Sequence, residues 1–148
     1  MPSQRQAAID SALRYFDEGG FLADLDRRVA FKTVSQDPSF ADHLQAYLSD
    51  EIAPTLQRMG YKTAIHPNPV AGFGPFLIGR RIEGENLPTV LTYGHGDVVR
   101  GLDEQWVDGL SPWKITVRGD RLYGRGTADN KGQHSINFGA LAAVIAAR

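Results

Sequence analysis

Cysteine is absent from the sequence, which excludes a disulfide framework and any thiolate metal site. A metal held by this chain would rest on His, Asp and Glu. An excess of charge is missing too: the formal net charge is −1, so nothing marks a nucleic-acid or polybasic membrane surface. No apolar run approaches the ~20 residues that a membrane span needs. The start, Met1-Pro2-Ser3-Gln4-Arg5-Gln6, is polar and lacks the apolar core of a secretory signal. The expected setting is therefore cytoplasmic, with neither nucleic acid nor membrane as a partner. One absence is local. Beyond Asp129 there is no Asp or Glu, and His134 is the sole histidine there.

What is present suits a folded domain. The chain has 148 residues, 42% hydrophobic and 22% charged, close to the averages of globular proteins and enough for one core. Ala8, Ile9, Leu13 and Phe16 recur near helical spacing, and Gly19-Gly20 stops that helix. Phe21 to Phe31 suggests a second helix. Ala41 to Met59 suggests a third, capped by Gly60 and either kinked or split by Pro54. Tyr61–His66 and Phe76–Gly79 read as strands, and Val90–Tyr93 as a short buried one. Trp113–Val117 and Leu122-Tyr123 read as a hairpin about Gly119-Asp120. Lys131 to Ala147 reads as a helix that is apolar nearly all round, which implies burial on every face. It reaches Arg148 without a capping Gly or Asn, as if cut within or just after a core helix. The class is α/β: N-terminal helices, then a mixed β-sheet with flanking helices, in one domain spanning 1–148.

Two segments carry chemistry. In Gly94-His95-Gly96-Asp97 an extended backbone would put His95 and Asp97 on one side. A neutral imidazole can ligate zinc while a carboxylate accepts its other ring N–H. Alone, such a triplet is commonest as a solvated His and Asp at a strand end. The second segment, Leu122 to Gln133, is a Gly-rich turn leading into the last helix, with Asp129 at the junction. A carboxylate there can bridge two cations ~3.5–4 Å apart, or simply cap the helix. Phosphate binding fails on spacing: Lys131 is followed by Gly132 where a P-loop needs Ser or Thr. Asp129 also stands where the dinucleotide fingerprint needs glycine. His43, His66 and His134 read as solvated or helix-face residues, and Asp103, Glu104 and Asp108 as loop surface charges.

In order, Gly94 to Val99, Trp106, Ser111-Pro112-Trp113 and Leu122 to Gly132 resemble the zinc peptidases and deacylases. That family includes carnosinase-type dipeptidases, glutamate carboxypeptidase, aminoacylase, acetylornithine deacetylase and succinyl-diaminopimelate desuccinylase. The resemblance implies the N-terminal part of a catalytic domain with a zinc exopeptidase-like fold. It implies hydrolysis of amide bonds in dipeptides or N-acyl amino acids through a water activated by two zinc ions. His95 would ligate one zinc, Asp97 would clamp its imidazole as the catalytic residue of this stretch, and Asp129 would bridge both ions. The peptide between Asp129 and Asn130 would be cis. The family's Glu-Glu pair, further acid and distant histidine have no counterpart here. An inactive fragment is therefore expected, with self-association favoured through an unpaired sheet edge or swapped elements. Two other readings stand beside it: a non-catalytic interaction module, and a related zinc aminopeptidase.

Overall fold

The computed structural model describes residues 3–148. These fall into two compact units: Met1–Ala30 with Gly101–Arg148, and Phe31–Arg100. In the first unit, helix α1 (Gln4–Asp17) begins where the Ser3 hydroxyl accepts the Gln6 N–H at 3.2 Å, an N-cap that satisfies one orphan donor. Helix α2 (Gly20–Ala30) follows. Leu25 and Val29 from α2 meet Ile115 in a small core, with Phe21, Leu22 and Leu122 packed around it. From α2 the Asp26 carboxylate also accepts the Ile115 N–H at 2.8 Å, pinning the approach to the later hairpin.

Arg28 is wholly buried in this unit. Its guanidinium donates to Ser135 Oγ at 2.7 Å, lies 5.1 Å from the Phe138 ring centroid and stands 3.8 Å from Asp24. Asp24 in turn accepts from the Tyr15 hydroxyl and from Arg27, each at 2.8 Å. Burial would raise the Asp24 carboxyl. The bonds from Tyr15 and Arg27 and the charge of Arg28 outweigh it and hold the group below its usual range. Tyr15 is pushed up to about 12, first by burial and then by its bond to the Asp24 carboxylate. An acid raised in this way stabilises the fold fully below its unfolded value of 10.0, and that contribution is lost as pH climbs toward 12. Wild-type stability should therefore fall more steeply above pH 10 than that of Tyr15→Phe. Parallel urea-midpoint curves across the two proteins would refute this.

The second unit holds a long helical stretch in three parts: α3 (Ala41–Ala46), a π-helical segment (Tyr47–Ile52) and α4 (Ala53–Arg58). The split expected at Pro54 takes the form of this wider turn, in which the Ala53 N–H reaches back to the Leu48 carbonyl. Pro54 has no N–H to contribute, and a wider turn lets the helix pass it without ending. Tyr47, Ile52, Ala53, Leu56 and Met59 are buried along this stretch. Gly60 follows in the left-handed region, as a C-terminal glycine should. Strand β1 (Lys62–His66) pairs antiparallel with β2 (Phe76–Arg80), running from Lys62 opposite Arg80 to His66 opposite Phe76. Thr63 and Ile65 are the less exposed residues of β1, the alternation read from the sequence.

Back in the first unit, β3 (Thr116–Arg118) and β4 (Arg121–Tyr123) form the expected hairpin about Gly119-Asp120. Helix α5 (Lys131–Ala146) packs against α1 and α2. The α/β class holds, with its strands arranged as two separate antiparallel pairs; the parallel component is the isolated bridge between Val34 and Val98. Two local expectations are corrected. Val90–Tyr93 is neither a strand nor buried: Val90 is 83% and Leu91 92% exposed. The reason is physical, since an apolar run becomes a buried strand only where neighbours supply ladder bonds and cover. Helix α5 is likewise not covered all round; Ile136 is 60% exposed. Among the described residues, no helix is long and apolar enough to cross a membrane.

Candidate metal centre

His95 and Asp97 belong to the unit Phe31–Arg100, and Asp129 to the other. The His95-Asp97 pair lies in irregular backbone rather than at a strand end. The two side chains nevertheless meet, with His95 Nδ1 3.1 Å from Asp97 Oδ1. Both are part-exposed, at 37% and 43%.

What places them is the strand-like ladder beside them. The Val98 N–H donates to the Thr33 carbonyl at 2.8 Å, and the Ser35 N–H to the Val98 carbonyl at 3.3 Å. The Thr33 hydroxyl donates to the Gly96 carbonyl at 2.6 Å, and the Ser35 hydroxyl to Asp97 Oδ2 at 2.7 Å. One Asp97 oxygen therefore faces the imidazole while the other is held by serine. That orients the carboxylate and so the ring. Gly96 is small because it must be. A Cβ there would fall 2.6 Å from Cδ1 of the buried Tyr47 ring, and closer still to Cε1. Thr33, Ser35 and Tyr47 escaped the sequence reading, since nothing local ties them to a motif about sixty residues away. A short polar Thr-Val-Ser stretch after a helix was the one available hint.

Asp129 is exposed at the start of α5. The Asp129-Asn130 peptide is cis, as the resemblance implied. The expectation that Asp129 caps the helix is corrected: Asn130 occupies the N-cap, without a side-chain capping bond. Its side chain turns instead to Gln133. The junction is tightly built. Lys131 and Ser135 are fully buried, the Gly132 N–H donates to the Gly126 carbonyl at 3.1 Å, and the Thr127 hydroxyl donates to the Gly124 carbonyl at 3.0 Å.

The remaining histidines behave as side chains packed on rings. The His43 ring centroid lies 5.7 Å from that of Phe40, His66 stacks on Phe76 at 5.8 Å, and His134 sits 5.8 Å from Phe138. Among the described residues no group of three or more His, Asp or Glu comes together that could hold a metal ion. An imidazole with a carboxylate on Nδ1 suits zinc ligation in kind. The donor set falls short in number, because catalytic zinc sites use about three protein ligands.

Comparison with known proteins agrees with the resemblance. Residues 91–148 match the sequence pattern of the Peptidase family M20/M25/M40. The chain is 39% identical to a succinyl-diaminopimelate desuccinylase of Gluconobacter oxydans, over 62% of its own length and 23% of that protein. It is 29% identical to the Cys-Gly metallodipeptidase DUG1 of Candida albicans, over 76% of this chain and 25% of that one. In structure it is similar to human carnosine dipeptidase 1, with a TM-score of 0.79 and 28% identity, covering 93% of this chain and 31% of that one. The chain thus spans about a quarter of the length of the curated relatives it matches.

Proposed function

We propose that this chain, whose residues 91–148 carry the M20/M25/M40 peptidase pattern, serves a metal-dependent hydrolase of amide bonds in dipeptides or N-acyl amino acids. The supporting observation is the His95-Asp97 contact at 3.1 Å, steadied from behind by Ser35. With Nδ1 protonated, His95 donates to Asp97, and its lone pair resides on Nε2, the nitrogen suited to a metal. Asp97 is then the residue that fixes tautomer and ring angle, and Asp129 offers a second carboxylate from the start of α5. When bound, zinc supplies Lewis-acid polarisation of the amide carbonyl and lowers the pKa of water toward ~7.

The same reading holds that the chain by itself does not turn over substrate, because it gathers no group of three ligands among the described residues. Calorimetric zinc titration, paired with dipeptide and N-acyl amino acid hydrolysis assays, tests both parts. The wild-type chain should bind zinc weakly and hydrolyse nothing. His95→Ala should abolish that binding, and Asp97→Asn should weaken it by about tenfold or more, as loss of an orienting partner does. Indistinguishable isotherms would remove these residues from the metal reading. Zinc-dependent turnover by the pure chain would overturn its inactivity.

A further inference from the structure

The loop after Gly101 forms an open cavity of about 360 Å³, walled by Leu102, Gln105, Trp106, Val107, Leu110, Tyr123 and Arg125. That volume lies at the small end of ordinary ligand sites, which are apolar with a few placed polar groups. Beside Gln105, its charged feature is a cation. The Arg125 guanidinium lies 5.5 Å from the Trp106 ring centroid, and its Nη2 donates to the Gly101 carbonyl at 3.2 Å. The same carbonyl accepts the Trp106 Nε1–H at 2.8 Å. Ring and guanidinium are therefore fixed against each other by one shared acceptor.

Arg125 forms no ion pair with a carboxylate among the described residues, and its buried Nε has no hydrogen-bond partner there. A guanidinium is always charged and has five donors in a planar fork. Placed against apolar walls with no carboxylate in ion-pair contact, it is costly to desolvate. Two further features belong to this loop. Leu102 holds a left-handed backbone at φ 54 and ψ 50, a conformation unfavourable for a leucine. That leucine and Val107 also remain 48% and 64% exposed at the rim.

We propose that this cavity binds a monoanionic carboxylate bearing an apolar group, such as an aryl or branched-alkyl acid. The carboxylate would take the unused N–H groups of Arg125, and the apolar group would lie among Trp106, Leu110 and the rim. One guanidinium balances one negative charge. Asp103, Glu104 and Asp108 in the same loop disfavour a dianion such as a phosphate ester. This proposal does not rest on the reading of His95 and Asp129.

The test is titration of the chain with 3-phenylpropionate, read from the Trp106 indole N–H resonance. Saturable binding is expected, with 3-phenylpropanol and acetate each weaker by about tenfold or more, the size of one charge-assisted contact or one buried ring. Arg125→Gln should cost about tenfold. Because Arg125 also braces Gly101, the exposed rim variant Val107→Asp provides a second measure, and should weaken the acid but not the alcohol. Equal binding of acid and alcohol, an unchanged affinity in both variants, or no saturable shift with the acid would each overturn the proposal.

Discussion

Gly132→Ala should destabilise the chain by about 3 kcal/mol or more, despite exchanging glycine for a better helix former. The helical preference of alanine is worth at most about 1 kcal/mol, and less in a first turn. Against it stands a backbone collision. A Cβ at residue 132 would lie 2.8 Å from the Thr127 carbonyl carbon and nearer still to its oxygen. A side chain in that place could rotate away, but a carbonyl cannot move without carrying its peptide. Relief would require opening the turn that holds the Gly132 N–H on Gly126 and the Thr127 hydroxyl on Gly124. Gly84→Ala is the matched control, since its Cβ would meet a side chain rather than backbone: Leu87, at 3.2 Å from Cδ1 and 3.3 Å from Cγ. If urea midpoints move equally in the two variants, the junction is softer than its geometry indicates.

Arg28→Ala should cost about 3 kcal/mol, within the range for emptying a filled core position. The side chain is fully buried and covers Phe138 while holding Ser135. Loss of the charge itself is not the main term, because Asp24 keeps its bonds from Tyr15 and Arg27. Arg28→Met should consequently recover most of the loss, leaving a deficit of about 1 kcal/mol, as a buried ion replaced by a fitting apolar group often does. Chemical denaturation of the three proteins decides the matter. Equal losses for Ala and Met would mean that the polar network, rather than packing, secures this position.

The sequence was informative wherever the cause of structure is local. The i, i+3 and i+4 recurrences of Leu44 to Met59 gave the long helical stretch, and Pro54 gave its irregularity, though not its π form. Gly119-Asp120 gave the hairpin of β3 and β4. His95 and Asp97 were legible as a pair two residues apart. What failed depends on partners distant along the chain. Val90–Tyr93 has the composition of a buried strand and no ladder to join. The burial of Arg28 is not legible in the sequence, because nothing near it announces Ser135. Ser35 and Thr33 acquire meaning only once the Val34-Val98 bridge brings them beside Asp97 and Gly96. The cap at α5 falls on Asn130, one residue after the carboxylate that the sequence offered for it.

The division of the chain has a consequence for the order of its assembly. Phe31–Arg100 is one continuous stretch, whereas Met1–Ala30 joins Gly101–Arg148 in the other unit. During synthesis α1 and α2 emerge well before the hairpin and α5 that cover them. Contacts between such distant segments close slowly, because the intervening chain must first be brought round. For much of translation the apolar sides of Leu25 and Val29 would await cover, while β1 and β2 already have each other. The continuous unit can form on the ribosome, and the discontinuous one must wait until Gly101–Arg148 has been made.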